Sequence, residues 1–488
     1  MKQGIKLSFL VLHMGVQLYA NNEDHLCKQS LKCSMVHIYE ETPPEVSTIG
    51  EMFTQGIFYG RLRLNSFAYK WDTEIDKVRK DHAIAAIGGS LIYKSAYYHG
   101  FAFSGGLYTT EARGSLTQDE SYLYKAGKDT FSRYDRYRDG TRGITTLAEG
   151  YLEYRYHDIN VKAGRQIFES FLTKSNDTKM IPNTFEGVTF NKHSLFHTDL
   201  KIAYLTKQKL RDHADFHHVL AFGDSKENLY DFYSQNDDSA MHKGLTTSKL
   251  EAQGIEDRLI VFEGINRSIE NLTLHANYTA VPELIASAMV QADYHIHTAG
   301  WAVIPGVRYM QQFDEGAGAI GGANLKGLTS GYKNKESLDS ALFGARVDVV
   351  NDGFKLRFAY TDVADKGDIV APWRGFPTGG FTRAMGQYNW YANTKSYMMQ
   401  LDYAFESIPD FKVISRFAVQ DFDDKKIGVQ ADSTVFTLDL AKRFNEDRLY
   451  VKTRYAHVMG DSGTVSSSSL TKLNPSYDEI RVEINYLF

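Results

Sequence analysis

The sequence is poor in several features that mark common protein classes. Its 488 residues include only 9 Pro and 2 Cys, and the formal net charge is −5. Scarce Pro disfavours a disordered or collagen-like chain, and the lack of a concentrated basic patch disfavours nucleic acid as a partner. No stretch approaches the roughly 18 consecutive apolar residues of a membrane-spanning helix, which excludes a helical membrane protein. A transmembrane β-barrel stays open because its strands are apolar at only every second position.

The first twenty residues have the pattern of a secretory signal peptide. Lys2 and Lys6 form a short positive region, residues 7–16 are mostly apolar, and Ala20 is a small residue suited to cleavage. We therefore expect residues 1–20 to be removed when the chain is exported from the cytosol.

If the chain is exported, the residues that follow the signal peptide lie outside the cytosol. Residues 21–52 are expected to form an N-terminal periplasmic lead segment, with entry into the barrel as the open alternative, and residues 53–488 the folded domain. Cys27 and Cys33, separated by five residues, would then lie in an oxidising compartment. They are a candidate disulfide, with two free thiols as the alternative. Two Cys supply only half of a typical zinc ligand set, so we expect no metal there.

An alternation of apolar and polar residues runs through residues 56–488. Phe358, for example, falls on one face of its strand, whereas Lys355 and Arg357 fall on the other. Residues 351–353 read NDG and predict a tight hairpin turn before this strand. The same period recurs in residues 148–157, 160–166, 199–207, 272–279, 284–294, 301–312, 343–349, 396–405, 411–420, 434–441 and 449–456. No long helical period competes, so the sequence predicts an all-β chain.

The two faces of these strands favour a membrane barrel over a soluble sandwich or propeller, which also use alternating strands. The polar face carries charged residues and Gln in numbers that a soluble core cannot bury but that water can solvate. The apolar face often ends in an aromatic ring, which suits the boundary between hydrocarbon and lipid headgroups. These aromatic residues are Tyr154, Tyr156, Tyr278, Tyr294, Tyr360, Tyr403, Phe405, Tyr455, Tyr486 and Phe488.

The length of the chain sets the size of the barrel. We predict a transmembrane antiparallel β-barrel of about 18 strands, each of roughly ten residues. Long polar stretches at residues 111–145, 212–257 and 314–340 are predicted to be extracellular loops, and short turns such as residues 351–353 to be periplasmic. A barrel of this size encloses an aqueous channel rather than a filled core.

The C-terminal strand has the form of an assembly signal. Residues 480–488 read IRVEINYLF, so apolar residues alternate up to a terminal Phe. Tyr486 and Phe488 therefore resemble the signal that barrel-insertion machinery reads in bacterial outer-membrane proteins; an ordinary C-terminal strand is the alternative. That machinery, outer-membrane lipid and lipopolysaccharide are the partners we expect, in the outer membrane of a Gram-negative bacterium.

Two stretches of sequence resemble the signature of the OprD-type (Opr family) porins. Residues 162–166 read KAGRQ and, after a loop, residues 177–187 read DTKMIPNTFEG. Lys179 departs from the family's pattern, which usually has Arg there, and so lacks the planar guanidinium that binds carboxylates bidentately. Residues 60–63, which read GRLR at the start of the first strand, are also similar. The resemblance covers roughly residues 53–488 and implies an 18-stranded outer-membrane barrel.

The resemblance also implies that a third loop, residues 167–186, folds inward and narrows the lumen. Pro182 stiffens the return of this loop. Charges of both signs that face a narrow aqueous gap sort solutes by charge. An external, solvated loop is the alternative. The charged residues predicted to line the constriction are Glu169, Lys174, Asp177, Lys179 and Glu186.

Strand parity places a series of basic side chains on the inner wall. Over the last seven strands these are Arg346, Lys355, Arg357, Lys412, Arg416, Lys452, Arg454 and Arg481, and the inward acidic residues are Asp348, Asp402, Asp439, Glu479 and Glu483. Arg61 and Arg63 of the first strand join the series. The series resembles the basic ladder of the family, in which stacked cations offer a migrating carboxylate successive weak sites.

These features predict a channel and not an enzyme. We expect a porin for passive diffusion of small hydrophilic solutes, with no cofactor; the resemblance implies solutes that bear carboxylates, such as amino acids or peptides. An adhesin or structural barrel that binds partners through its long loops is the main alternative, and an outer-membrane hydrolase is a weaker one. The sequence leaves the oligomeric state open between a monomer and a trimer.

Overall fold

The computed structural model describes residues 29–32, 34–224, 243–385 and 388–488. Within these residues the chain forms a closed antiparallel β-barrel of 18 strands, which confirms the predicted fold class. The predicted signal peptide, Cys27 and Cys33 lie outside the described residues. No helix among the described residues has the length and apolar character needed to cross a membrane.

The barrel strands are numbered β1 to β18 in chain order. They are β1 (Ile57–Trp71), β2 (His82–Lys94), β3 (Phe101–Gly114), β4 (Gly143–Tyr156), β5 (Ile159–Gln166), β6 (Thr184–Leu195), β7 (Thr198–Lys209), β8 (Leu259–Asn266), β9 (Leu272–Val281), β10 (Ile285–Tyr294), β11 (Trp301–Asp314), β12 (Ser340–Asn351), β13 (Phe354–Val363), β14 (Lys395–Ala404), β15 (Phe411–Asp421), β16 (Ser433–Phe444), β17 (Leu449–Gly460) and β18 (Tyr477–Leu487). The shorter strands are Gln29–Leu31, His37–Tyr39, Glu45–Val46, Tyr97–Tyr98 and Ile296–Thr298. The helices are α1 (Ile49–Thr54), α2 (Arg133–Asp139), α3 (Thr247–Glu251) and α4 (Ala317–Gly321), with 3₁₀ turns at Ser121–Leu123 and Lys128–Thr130.

The barrel closes where its last strand pairs with its first. The antiparallel register between β18 and β1 runs from Tyr477 opposite Trp71 to Leu487 opposite Arg61. Beyond that register, the backbone of Phe488 exchanges two hydrogen bonds with the backbone of Gly60, of 2.8 and 3.0 Å. Closure leaves no unpaired strand edge at this seam, which is the condition for a sheet to lie in hydrocarbon.

The two faces of the strands differ as the alternation predicted. On β13, Phe358 points outward and is 52% exposed, whereas Arg357 points inward and is 7% exposed. A large outward surface of apolar side chains on every part of the barrel wall indicates lipid rather than water around it. Aromatic residues predicted for the ends of the outward face are exposed there: Tyr154, Tyr156, Tyr278, Tyr294, Tyr403, Tyr486 and Phe488.

The two rims of the barrel have very different connections. Every connection at the rim that holds the start of β1 is two to six residues long. The hairpin turn predicted at residues 351–353 is one of these, and Gly353 there has a φ of 69°, a left-handed conformation that costs Gly little. The opposite rim carries the long predicted loops. It also carries a long connection that the polar pattern did not predict, residues 364–394, because that segment contains few charged residues.

Candidate functional site

The connection between β5 and β6, residues 167–183, folds into the barrel. We call it the first inner loop. Leu172, Met180 and Ile181 of this loop are fully buried, and Asp177 is 1% exposed. The loop therefore lies inside the wall, as the resemblance implied, rather than in external solvent.

Asp177 joins the first inner loop to the wall of β1. Its carboxylate accepts hydrogen bonds from both Arg61 and Arg63, whose side chains are completely buried. Arg63 also donates to the Asp177 carbonyl at 3.1 Å and to the Glu483 carboxylate at 2.9 Å. Because a buried charge is tolerated only when it is paired, these residues hold one another in place.

Lys179 follows Asp177 along the same wall. The Lys179 carbonyl accepts a hydrogen bond from the side chain of Asn65, and the ammonium lies 4.3 Å from the centre of the Phe67 ring. Burial, with the nearby Arg481, lowers the pKa of this ammonium well below its usual range. Packing over a ring face needs no bidentate geometry of the kind that Arg provides. Lys179 therefore acts as a packed anchor of the loop.

The other predicted loop residues hold the root of the loop. The Glu169 carbonyl accepts from Lys201 at 2.7 Å, and the Pro182 carbonyl accepts from Lys209 at 3.0 Å. Burial opposes ionisation of Glu169, but the charge of Lys174 and hydrogen bonds from Ser175 and Ser34 outweigh it and lower the pKa of Glu169.

Glu186 does not belong to the loop. It is the third residue of β6, and it pairs with Arg165 of β5 at 3.4 Å in a half-exposed position. The predicted range was too long because residues 184–186 already pair with the neighbouring strands.

A second inner loop, formed by residues 364–385 and 388–394, pairs with the first. Lys174 donates its backbone N–H to Trp373 at 3.0 Å, and Gly375 donates to Leu172 at 2.9 Å. The backbone of Leu172 approaches so closely that a Cβ on Gly375 would lie 2.3 Å from it, so only Gly fits here. Besides the predicted inner loop, a second connection therefore packs inside the barrel.

Arg308 and Arg346 on β11 and β12 hold the second inner loop. Arg308 donates to the carbonyls of Pro377 and Gly379 at 2.7 and 2.8 Å, and both guanidinium groups lie within 5 Å of the Phe381 ring centre. Arg346 also donates to the Gly380 carbonyl and pairs with Asp293, each at 2.7 Å. Arg346 therefore has an anchoring contact that its parity did not show. Arg308 was not predicted, although the alternation in residues 301–312 places it on the inward face and could have identified it.

The remaining basic residues lie on the inward faces of β12 to β18, and carboxylates of the same wall lie beside them. Asp348 pairs with Arg357 at 2.6 Å and with Lys355 at 3.7 Å. Asp402 pairs with Lys412 at 3.4 Å. Glu479 accepts a hydrogen bond from Arg481 at 3.0 Å.

Asp439 is shared by three cations of the inner wall. Arg454, Lys452 and Arg416 lie at 2.5, 3.2 and 3.5 Å from its carboxylate oxygens. One carboxylate cannot neutralise three cations, so this part of the wall keeps a positive charge. The net positive charge of this cluster can attract an anion, and its guanidinium and ammonium groups can bind one.

The fold and the inner loops define a class: a barrel with a polar lumen narrowed by inward-folded loops. Solved structures share this fold. OccK8 (OprE) of Pseudomonas aeruginosa superposes with a TM-score of 0.65 at 13% identity, over 90% of this chain and 99% of its own. OccAB3 of Acinetobacter baumannii gives 0.65 at 13% identity, over 88% and 99%. OpdK of Pseudomonas aeruginosa, solved with vanillate, gives 0.64 at 13% identity, over 88% and 98%.

These comparisons confirm, at the level of the fold, the resemblance to OprD-type channels. Sequence comparison adds nothing to them, because no protein-family model matches the chain and no curated protein matches it significantly. The family motifs at residues 162–166 and 177–187 lie at the end of β5 and across the end of the first inner loop and the start of β6.

Proposed function

We propose that the protein is an outer-membrane porin that lets small hydrophilic solutes diffuse through its lumen. The observation that carries the proposal is the contrast between an apolar outward face and an inner wall lined by charged side chains, against which the two inner loops pack. A charged lining serves no purpose in a dry core, whereas it is solvated in an aqueous channel. The signal peptide expected at residues 1–20 supports export to that membrane.

The proposed solutes are small molecules that carry a carboxylate. The predicted inward residues on β12 to β18 comprise eight cations and five carboxylates, and Asp439 alone is shared by three of the cations. An excess of wall cations attracts anions, and water in the lumen screens each contact enough for release. OpdK has been solved with vanillate, which is itself a carboxylate.

The experiment is single-channel conductance of the purified full chain in a planar lipid bilayer. We compare the wild type with a variant in which residues 170–183 are replaced by a short Gly-Ser linker. If the first inner loop narrows the conduction path, the variant conducts more current per channel. An unchanged conductance would place the loop outside the path, and no conductance from either protein would favour a plugged barrel of the adhesin class.

A further inference from the structure

Residues 29–32 and 34–39, which precede β1, pack inside the barrel. Strands Gln29–Leu31 and His37–Tyr39 pair antiparallel, and we call residues 29–32 and 34–39 the N-terminal hairpin. Leu31 and Met35 are buried against Leu487 and half-buried Tyr450. Leu487 lies at the end of β18 and Tyr450 at the start of β17, both with inward parity. The hairpin therefore occupies the lumen at the rim with the short turns.

Polar contacts join the hairpin to the parts of the protein that narrow the lumen. Arg61 donates to the Met35 carbonyl at 2.7 Å, while its other terminal nitrogen holds Asp177 of the first inner loop. Ser34 hydrogen-bonds the Glu169 carboxylate of the same loop. The hairpin thus contacts the first inner loop and the wall of β1 together.

His37 is the titratable group at the centre of the hairpin's contact with β1. Its ring lies edge-on to Tyr59 at 4.9 Å, and Nε2 contacts the Gln29 side chain within the hairpin at 2.7 Å. Burial, followed by the charges of Arg61, Lys94 and Arg63, lowers the pKa of His37 to about 3. Docking of the hairpin therefore favours the neutral form of the His37 ring and disfavours the protonated form.

Residues 44–53, between the hairpin and β1, are bound separately to the rim with the short turns. Tyr97 donates to the Pro44 carbonyl at 2.8 Å, and Ala96 donates to the Met52 carbonyl of α1 at 3.0 Å. The Tyr93 hydroxyl donates to the Phe53 carbonyl at 2.8 Å. Because these contacts do not involve the hairpin, the hairpin can leave the lumen and remain attached to its own barrel.

We infer that the N-terminal hairpin is an intramolecular plug that narrows the channel on the side of the short turns, beneath the first inner loop. The inference rests on the proposed channel function and adds a constriction element to it. Few contacts hold the hairpin compared with the continuous hydrogen-bond ladders of the wall, so its release is a local event that leaves the barrel folded.

The test variant combines Leu31→Asp and Met35→Asp, which bury charge against Leu487 if the hairpin stays docked. The control is Thr42→Asp, which adds one negative charge at an exposed position between the hairpin and α1. Both are measured as full-length protein by single-channel conductance and by amide hydrogen exchange of residues 34–39. We expect slow exchange in wild type and control, fast exchange in the double variant, and an increase in its conductance of about two-fold or more.

Three other outcomes would contradict the inference. Fast exchange of the hairpin in the wild type would show that it is not docked and would overturn the inference. Fast exchange only in the double variant, with unchanged conductance, would show a docked hairpin that does not narrow the path, which also overturns it. No conductance from any variant, including the one that lacks residues 170–183, would instead overturn the channel function and the plug with it.

Discussion

Replacing Asp177 by Asn tests whether a single buried carboxylate holds the first inner loop across the lumen. Asp177 pairs with Arg61 and Arg63, and none of the three side chains is more than 1% exposed. Removing one partner of a buried ion pair costs about 3–5 kcal/mol, because the remaining charge stays desolvated and unpaired. The amide keeps one acceptor, so we take the lower end, about 3 kcal/mol. That energy shifts the docking of the loop roughly 100-fold toward the released state.

The barrel itself does not depend on this contact. Its seam is closed by the backbone register of β18 with β1, and the root of the loop is held separately by Lys201 and Lys209. We therefore expect Asp177→Asn to insert into membranes normally and to give a higher single-channel conductance. Asp158→Asn is the matched control, since Asp158 pairs with Lys192 at an exposed turn, where such a bridge is worth about 0–1 kcal/mol.

The assay is planar-bilayer recording of the wild type, Asp177→Asn and Asp158→Asn at one salt concentration. A folded barrel in each preparation is checked by its heat-dependent shift in gel mobility, since a closed barrel resists detergent. Equal conductance of all three proteins would refute the reasoning: either the loop stays docked without its carboxylate, or it does not restrict the path.

Three further outcomes test other parts of the molecule. Deleting Phe488 should impair membrane insertion, measured as the fraction of heat-modifiable protein, because its backbone completes the seam with β1; normal assembly would contradict the assembly-signal interpretation. Changing Arg346, Arg357 and Arg416 together to Gln should shift the reversal potential in a salt gradient toward cations and weaken block by benzoate; identical values would remove these side chains from the conduction path. Lowering the pH from 7 to 5 should favour release of the N-terminal hairpin about 25-fold. Released His37, with a pKa near 6.5, gains a proton over this range, whereas the docked ring, with a pKa of about 3, stays neutral. Docking is thus strongest above pH 6.5 and weakens as the pH falls, and His37→Gln should abolish the pH dependence of conductance; a variant that kept it would assign the effect to another group.

The strands were predictable because a barrel wall imposes a period of two on the sequence. Phe358 and Arg357 show it within one strand, and the NDG turn at residues 351–353 fixed where that strand begins. The inward fold of the first inner loop came from the resemblance rather than from its own composition, since a charged loop looks the same inside a lumen and in external solvent.

The second inner loop was not predictable from the sequence, for a physical reason. Residues 364–394 contain few charges and include Trp373, Phe376 and Phe381, so they resemble neither a polar loop nor an alternating strand. Their burial depends on long-range partners: Leu172 on the first inner loop and Arg308 on β11. Alternation reports which face of a strand is apolar, but it contains no information about what a loop meets across the barrel.

Parity also could not show which wall charges are paired, because pairing depends on register. Asp348 stands directly opposite Arg357 in the ladder between β12 and β13, and Asp439 directly opposite Arg454 between β16 and β17. Side chains directly opposite each other lie close enough to form ion pairs. The predicted inward cations and carboxylates are thus joined in ion pairs, which parity alone did not show.

For the proposed carboxylate solutes, resident carboxylates on the wall would suit passage better than bare cations. A solute carboxylate that met an unpaired, desolvated cation would gain a strong contact and leave slowly. At Asp439, where three cations share one carboxylate, an arriving carboxylate instead completes a set that is already partly paired. The binding free energy gained at each step is the difference between two similar ion pairings. We therefore expect both entry and exit of the solute to be fast. Conduction requires this balance, in which binding is favourable enough for entry and weak enough for release.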